Sequence, residues 1–369
     1  MGNLMHKHRN SNIELLRIIS IVLIVLHHYV VHGFGTVENI SRMNQYLLGV
    51  LSLGGKLGVT CFVLISGYYM IHSKFTVKKC FSILLEVWIY SFVIGVIYFM
   101  LTQSLSLKVL LKVLFPIGLS TYWFITDYLI LMVVSPILNT AIHHLEKTLY
   151  QKSIIIMIIF WTIFPMFGLS YAFDDLLWFI CLYFIAGYIR LYHEFDQLKV
   201  RYYFLMAFVS YFIVIISNIS FLFIGYSMHI DIFLQKSMYF SALNSPFILF
   251  TGISLIIGFL SMRSTYIPLI NLFSSCTLGI YLIHDNTLIR SYIWENLFKC
   301  SMFGSSVFLV LHCILSVVIV YFACCFIDIF RQRMIEKPFL NRFDKYILKC
   351  NDLYKGVYRI CHFIFDKYL

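Results

Sequence analysis

Ten stretches of this chain are apolar for roughly 20 residues, the length a helix needs to cross a bilayer. They lie near residues 14–32, 46–71, 79–101, 122–142, 153–171, 175–192, 202–225, 241–262, 267–288 and 305–330. Each is apolar all round rather than along one stripe. The pattern therefore predicts helices, not the alternating segments of about ten residues that build a membrane barrel. Charged residues make up 12% of the 369, half of the quarter or so that a soluble surface uses. That excludes a soluble enzyme, a disordered chain, a coiled coil and a soluble domain with one anchor. The least regular windows are the second, interrupted by Gly54 and Gly55, and the short sixth.

Lys and Arg outnumber Asp and Glu by 28 to 17, a formal charge of +11. In a membrane chain the first question is where those cations fall. With the N-terminus in the cytoplasm, twelve of them, from Lys7 to Arg263, and the nine after residue 330 lie on the inner side, against seven on the outer side. This is a positive-inside distribution and calls for no nucleic acid. The expected fold is an all-α polytopic membrane protein, a bundle of about ten transmembrane helices with both termini cytoplasmic. Its expected parts are an N-terminal tail over 1–11, a transmembrane domain over 12–340 and a basic amphipathic tail over 341–369. In that tail apolar residues recur near helical spacing, from Phe343 to Phe365, among Lys and Arg, which suits an anionic inner leaflet. His27, His28 and Tyr29 stand where a signal peptidase would need small residues, so the first span is expected to be retained. No segment outside the spans is long enough for a folded domain, so the chemistry is expected within the bundle or at its faces. The ten cysteines include no Cys-x-x-Cys pair, and neither a disulfide nor a metal site is indicated.

A polar side chain in hydrocarbon is costly unless paired, which makes ionisable residues inside spans the place to look for function. The first span holds Glu14, Arg17, His27 and His28. Arg17 and His28 are eleven residues apart, three helical turns plus about 20° and a rise of about 16 Å. They share a face, Arg17 at the cytoplasmic entrance and His28 in the outer half. Two readings stay open on spacing alone. Either the pair holds the two ends of a long ligand with a charged head and a reactive tail, or Arg17 is a snorkelling anchor and His28 a packed histidine.

The string NIELLRIISIVLIVLHHYV, with Arg17 and His28 at its poles, resembles the Arg-x10-His signature of acyltransferase family 3 membrane proteins. Gly58 to Tyr68 (GVTCFVLISGY) resembles the glycine-rich, Ser-Gly-Tyr end of the family's second span. Tyr122-Trp123-Phe124 with Leu129 to Asn139 resembles its Trp-Phe and Ser-Pro segment. Phe184 to Tyr188, Gly279 to His284 and Glu336 to Phe339 complete six motifs in family order over residues 12 to 340. The resemblance implies an integral-membrane O-acyltransferase, most often one moving acetyl from acetyl-CoA to a sugar hydroxyl of a surface polysaccharide or its lipid-linked precursor. It implies a catalytic role for His28 and a donor role for Arg17, with no tightly bound cofactor.

Two departures stand out. Where family members often carry several arginines after Ser-Gly-Tyr, this chain has Lys74, Lys78 and Lys79, point charges rather than forks. The longer members also carry an esterase-like C-terminal module, which is not seen here, so transfer to the acceptor is expected from the bundle or a partner. The chemistry agrees with the resemblance. Acyl transfer to an alcohol needs a base or an acyl carrier, and imidazole can be either; it also needs donors to a developing oxyanion in a dry site.

Counting from predicted helix ends puts His28, Trp123, Asp127, Tyr128, Tyr281 and His284 in the outer half. Arg17, Lys78, Lys79 and Glu336 fall at the inner face. Acyl-CoA is expected to bind through Arg17, Lys78 and Lys79, and Ser66, Tyr68, Trp123, Asp127, Tyr128, Tyr281 and His284 are the pocket or acceptor candidates. Plainer roles stand beside these. Tyr122 and Trp123 fit an aromatic belt, and Ser66-Gly67 fits close helix approach. Asp127 either orients an imidazole or pairs with a hydroxyl, and His284-Asp285 at a helix end suits solvation. Glu336 is expected to cap a helix or pair with Arg333, and His27 to be the spectator of the two adjacent histidines. The competing function class is a transporter or lipid-linked oligosaccharide flippase, which commonly shows inverted repeats that are not evident here. A glycan polymerase would call for a long extracytoplasmic loop. The implied partners are acyl-CoA, a glycan or lipid-linked sugar and the bilayer; the sequence does not fix an oligomeric state.

Overall fold

The computed structural model describes residues 9–35, 39–104, 106–119, 121–169, 174–192, 198–343 and 346. The expected amphipathic tail over 341–369 and Lys7 of the N-terminal tail lie almost wholly outside the described residues. Among those described there is no strand, and nine helices are long and apolar enough to cross a membrane.

Helix α1, Ser11–Phe34, begins where the Asn10 side chain accepts from the Asn12 amide, an N-cap in the usual sense. The second span is α2, Arg42–Ser52, and α3, Gly54–Met70, broken at Leu53. The glycines that interrupt its pattern are contact residues. A Cβ on Gly55 would come within 2.5 Å of His27 Cγ, and one on Gly58 within 2.5 Å of the Ser20 carbonyl oxygen. They let α3 lie against α1 at backbone distance, as small residues do between membrane helices.

Helix α4 is Val77–Thr102, and a left-handed Gln103 at φ 52° ends it. The stretch after it, expected as an outer loop, instead folds into α5, Leu107–Leu114, and turns back along α4. Ser91 Oγ donates to the Val113 carbonyl at 3.0 Å, and Val113 fills the space that a side chain at Gly95 would need. Helix α6, Trp123–His144, carries Pro136 in its interior. Proline has no N–H to give to Met132, and Ser135 Oγ donates to that carbonyl at 2.8 Å in its place.

Helix α7, Lys147–Ile158, continues through a π-turn, Ile159–Ile163, into α8, Phe164–Met166. This span starts six residues before the apolar window at 153–171 and ends before it, because Lys147 opens the helix and Gly168 at φ 78° closes it. Next come α9, Asp175–Tyr192, α10, Val200–Met228, the short α11, Asp231–Gln235, and α12, Pro246–Ser261.

The window at 267–288 is not one long helix. It forms α13, Pro268–Ser274, and α14, Thr277–His284, parted at Ser275 and Cys276. The ninth long span is α15, Leu309–Arg331, extended by a π-turn over Gln332–Glu336. The expectation of about ten spans thus becomes nine long helices and one short, broken segment among the described residues.

The chain divides into two compact units. The first comprises Met1–Ile65, His193–Leu278 and Phe298–Tyr321, and the second Ser66–Tyr192, Gly279–Leu297 and Phe322–Leu369. Within the first, α1 packs on α2, α12 and α13, and α10 lies along α12. Within the second, α6 packs on α9 and on α4, and α7 on α9.

Candidate active site

In the first unit the candidates Arg17 and His28 stand on α1, a helix of 24 residues, with a rise of about 16 Å between them. Arg17 is half-buried, and its Nη1 lies 3.7 Å from Glu14 Oε2. Glu14 is 4% exposed and also accepts from Ser274 Oγ of α13. The entrance of α1 is tied down nearby. Ser11 Oγ donates to Asn271 Oδ1 at 3.0 Å and Asn12 Nδ2 to the Arg263 carbonyl at 3.0 Å.

The two adjacent histidines differ in setting. His27 Nδ1 lies 2.6 Å from the Ser52 carbonyl. A carbonyl only accepts, so Nδ1 carries the proton and donates. His28 is half-buried and its ring stands 5.1 Å from that of His32, one turn on. Below it the Tyr29 hydroxyl meets His312 Nδ1 at 2.9 Å, and His312 stacks on Phe303 at 3.8 Å. The C-terminal end of α1 is thus lined with imidazole, and the packing fixes His27 by a backbone bond while His28 lies on another face.

The second unit gathers most of the remaining candidates around an aromatic cluster. Trp123 lies 6.2 Å from Phe179 and Tyr128 stacks on Phe124 at 5.9 Å. Tyr281 meets both Phe124 and Tyr122 at 5.9 Å and His284 at 6.4 Å. The Tyr122 hydroxyl donates to the Leu282 carbonyl at 2.9 Å and accepts from Asn286 Nδ2 at 2.5 Å. Asn286 and Tyr122 thereby set the end of α14, a role the sequence motifs did not point out. Tyr281 is 7% exposed, with its phenol set among the aromatic rings of this cluster.

Of the two readings of His284 and Asp285, a pocket role or solvation at a helix end, solvation does not hold: they are 0% and 7% exposed. His284 Nδ1 donates to the Ile280 carbonyl at 2.6 Å, and Asp285 faces Arg290 at 3.6 Å. Asp127 is half-buried, and its carboxylate makes no hydrogen bond among the described residues.

Ser66, Tyr68, Lys78 and Lys79 are not part of that cluster. Ser66 is half-buried near the end of α3, where a Cβ on Gly67 would come within 2.9 Å of Ala186 Cβ. Tyr68 accepts from Arg190 Nη1 at 2.7 Å. Lys78 and Lys79 stand in the first turn of α4.

Glu336 does not pair with Arg333. It meets Arg331 Nη1 at 2.6 Å and accepts from Ser82, because the π-turn swings it back toward α4. Arg331, 3% exposed, also meets Asp328 at 2.7 Å and Glu86 at 3.2 Å. The signal that finds this cluster is a pair of acids, Glu86 and Asp328, inside otherwise apolar windows.

Comparison with known proteins bears on the whole arrangement. No curated protein and no solved structure matches the chain. A family model for an acyltransferase domain matches residues 10–326. The match opens on the residue that caps α1, takes in Arg17, His28 and the aromatic cluster, and closes within α15. The chain is a multi-pass membrane acyltransferase and belongs to acyltransferase family 3.

Proposed function

We propose that the chain is an O-acetyltransferase of the cytoplasmic membrane. It takes acetyl from acetyl-CoA and places it on a sugar hydroxyl of an extracytoplasmic or lipid-linked surface polysaccharide. The observation that carries this reading is the pairing of Arg17 and His28 on one helix face, about 16 Å apart along the axis. That separation suits a thioester donor whose phosphates are far from its acyl carbon. On this reading Arg17 takes a phosphate of the donor and His28 works at the acyl end.

In direct transfer His28 accepts the sugar hydroxyl proton as the oxygen attacks the thioester carbonyl. The tetrahedral oxyanion collapses with loss of the C–S bond, and the thiolate takes the proton back. In the two-step form the imidazole itself carries the acetyl group between donor and acceptor.

The test is the O-acetyl content of the surface glycan, read by NMR in a deletion background complemented with variants. His28→Ala and Arg17→Ala are expected to abolish or strongly reduce it. A general base contributes roughly 10²–10⁴ in rate, so His28→Ala has the larger effect. His27→Ala, which loses the bond to the Ser52 carbonyl, is expected to retain activity in proportion to the protein that folds. Unchanged O-acetylation in stably expressed His28→Ala would overturn the assignment.

A further inference from the structure

Lys78 and Lys79 carry compact charges on flexible stems, and neither offers the planar pair of N–H groups that grips a phosphate from two sides. One guanidinium in the second unit does. Arg190, in the last turn of α9, donates from Nη1 to the Tyr68 hydroxyl at 2.7 Å, and its central carbon stands 4.7 Å from the centroid of the same ring. The ring and its hydroxyl therefore fix both the place and the plane of the fork.

Tyr68 is itself held. It is 6% exposed, and it follows Gly67, whose lack of a side chain lets α3 rest against Ala186 of α9. The phenol is neutral, so it orients the guanidinium without neutralising it. Three other arginines have acids: Arg17 has Glu14, Arg290 has Asp285, and Arg331 has three. Arg190 has no carboxylate within ion-pair distance among the described residues. It is half-buried. Lysines add positive charge on the same elements: Lys147 stands over the ring of Tyr192 on α9 at 5.3 Å, and Lys74, Lys78 and Lys79 follow Tyr68 in the chain.

We propose that Arg190 is a donor-binding residue, gripping a phosphate of the acyl-CoA nucleotide with the N–H groups that Tyr68 leaves open, and that Tyr68 is its positioning residue. The fork missing after Ser-Gly-Tyr is supplied from α9. This rests on the acyl-CoA reading above and adds to it the residue that recognises phosphate by geometry rather than by charge alone.

The test is equilibrium binding of coenzyme A to the full chain in lipid nanodiscs, with steady-state kinetics alongside. Arg190→Gln is expected to weaken binding tenfold or more. Arg190→Lys, which keeps the charge and loses the fork, recovers only part of that, and Tyr68→Phe weakens binding several-fold. In kinetics the KM for acetyl-CoA rises while kcat and the acceptor KM hold, a split that loss of folded protein does not produce. Arg333→Gln, an exposed cation beyond α15, leaves binding unchanged. Coenzyme A lacking its 3′-phosphate separates the two phosphate sources: if the wild type and Arg190→Gln bind it equally, Arg190 reads the monoester, and if the gap persists, the diphosphate. Wild-type affinity in Arg190→Lys or Arg190→Gln would overturn the proposal. Failure of the wild type to bind coenzyme A at all would instead remove the acyl-CoA reading beneath it.

Discussion

Arg17 is half-buried at the entrance of α1, and what keeps it there is a single acid. Glu14 is 4% exposed, accepts from Ser274 and lies 3.7 Å from Arg17. A carboxylate so placed is stable only while its partners remain. Glu14→Gln keeps an acceptor for Ser274 and removes the charge. It is expected to fold nearly as well as the wild type while the KM for acyl-CoA rises several-fold, because Arg17 loses the group that aims it. Glu14→Ala leaves Ser274 without its acceptor and is expected to cost about 1–3 kcal/mol of stability as well, measured by thermal unfolding in detergent. Equal stability losses in the two variants would show that Glu14 serves the fold and not the aim of Arg17. At this scale helical spacing puts His28 and Arg17 on one face, and the family resemblance rather than the spacing singled them out. Arg190 was not, since its meaning depends on Tyr68, which is more than a hundred residues away and adjacent only after α3 and α9 pack. The burial of His284 was not legible for a related reason: hydropathy marks where a helix stops but not what surrounds its end.

Between elements, the strongest polar joint is the cluster that fastens α15 to α4. Arg331 sends its three nitrogens to Asp328, Glu86 and Glu336, while Tyr90 and Gln332 donate to Asp328 at 2.7 Å each. Asp328 is 0% exposed and Arg331 3%, so removing the cation leaves acids in a medium that penalises charge heavily. Arg331→Met is expected to cost about 3–5 kcal/mol. Arg331→Lys keeps the charge but reaches fewer partners and should fall between. Because the site is out of reach of mobile ions, both losses should be nearly the same at low and high salt. A strong salt dependence of the unfolding temperatures would instead mean that the cluster is wet and contributes little. The long spans were legible at this scale because a run of twenty apolar residues leaves the backbone little choice. The return of α5 along α4 was not, since Lys108 and Lys112 made that segment look like a loop, and only the groove at Gly95 shows where Val113 goes.

Whether α13 and α14 together cross the membrane decides the topology of the whole chain. Nine long helices are an odd number, and with nine crossings the chain's two ends would face opposite sides. The nine Lys and Arg after residue 330 would then lie opposite the side of Arg263, against the positive-inside bias. Hydrogen bonds within the first unit say that the short segment does cross. At one end of α1, Ser11 and Asn12 bond to Thr265 and Arg263. Beyond its other end, Ser41 and Asn44 bond to Gly304, and Ser305 to Asn39. Helix α1 is 24 residues long, about 36 Å, so the chain between residues 265 and 304 must travel the length of a membrane span. Two helices of 7 and 8 residues supply about 22 Å of that, and the turns around them supply the rest. A broken crossing of this kind is tolerated where protein rather than lipid surrounds it; Ser274 and Thr277, at the break, are buried. The prediction is that Arg263→Cys and Val307→Cys react from opposite sides. In a background with Cys350 and Cys361 replaced, the eight buried cysteines stay silent to a membrane-impermeant maleimide. Val307, 90% exposed, is expected to label in intact cells, and Arg263→Cys only after the membrane is opened. Labelling of both positions from one side would mean that α13 and α14 turn back within the bilayer, and would put the basic tail on the opposite side from Arg263.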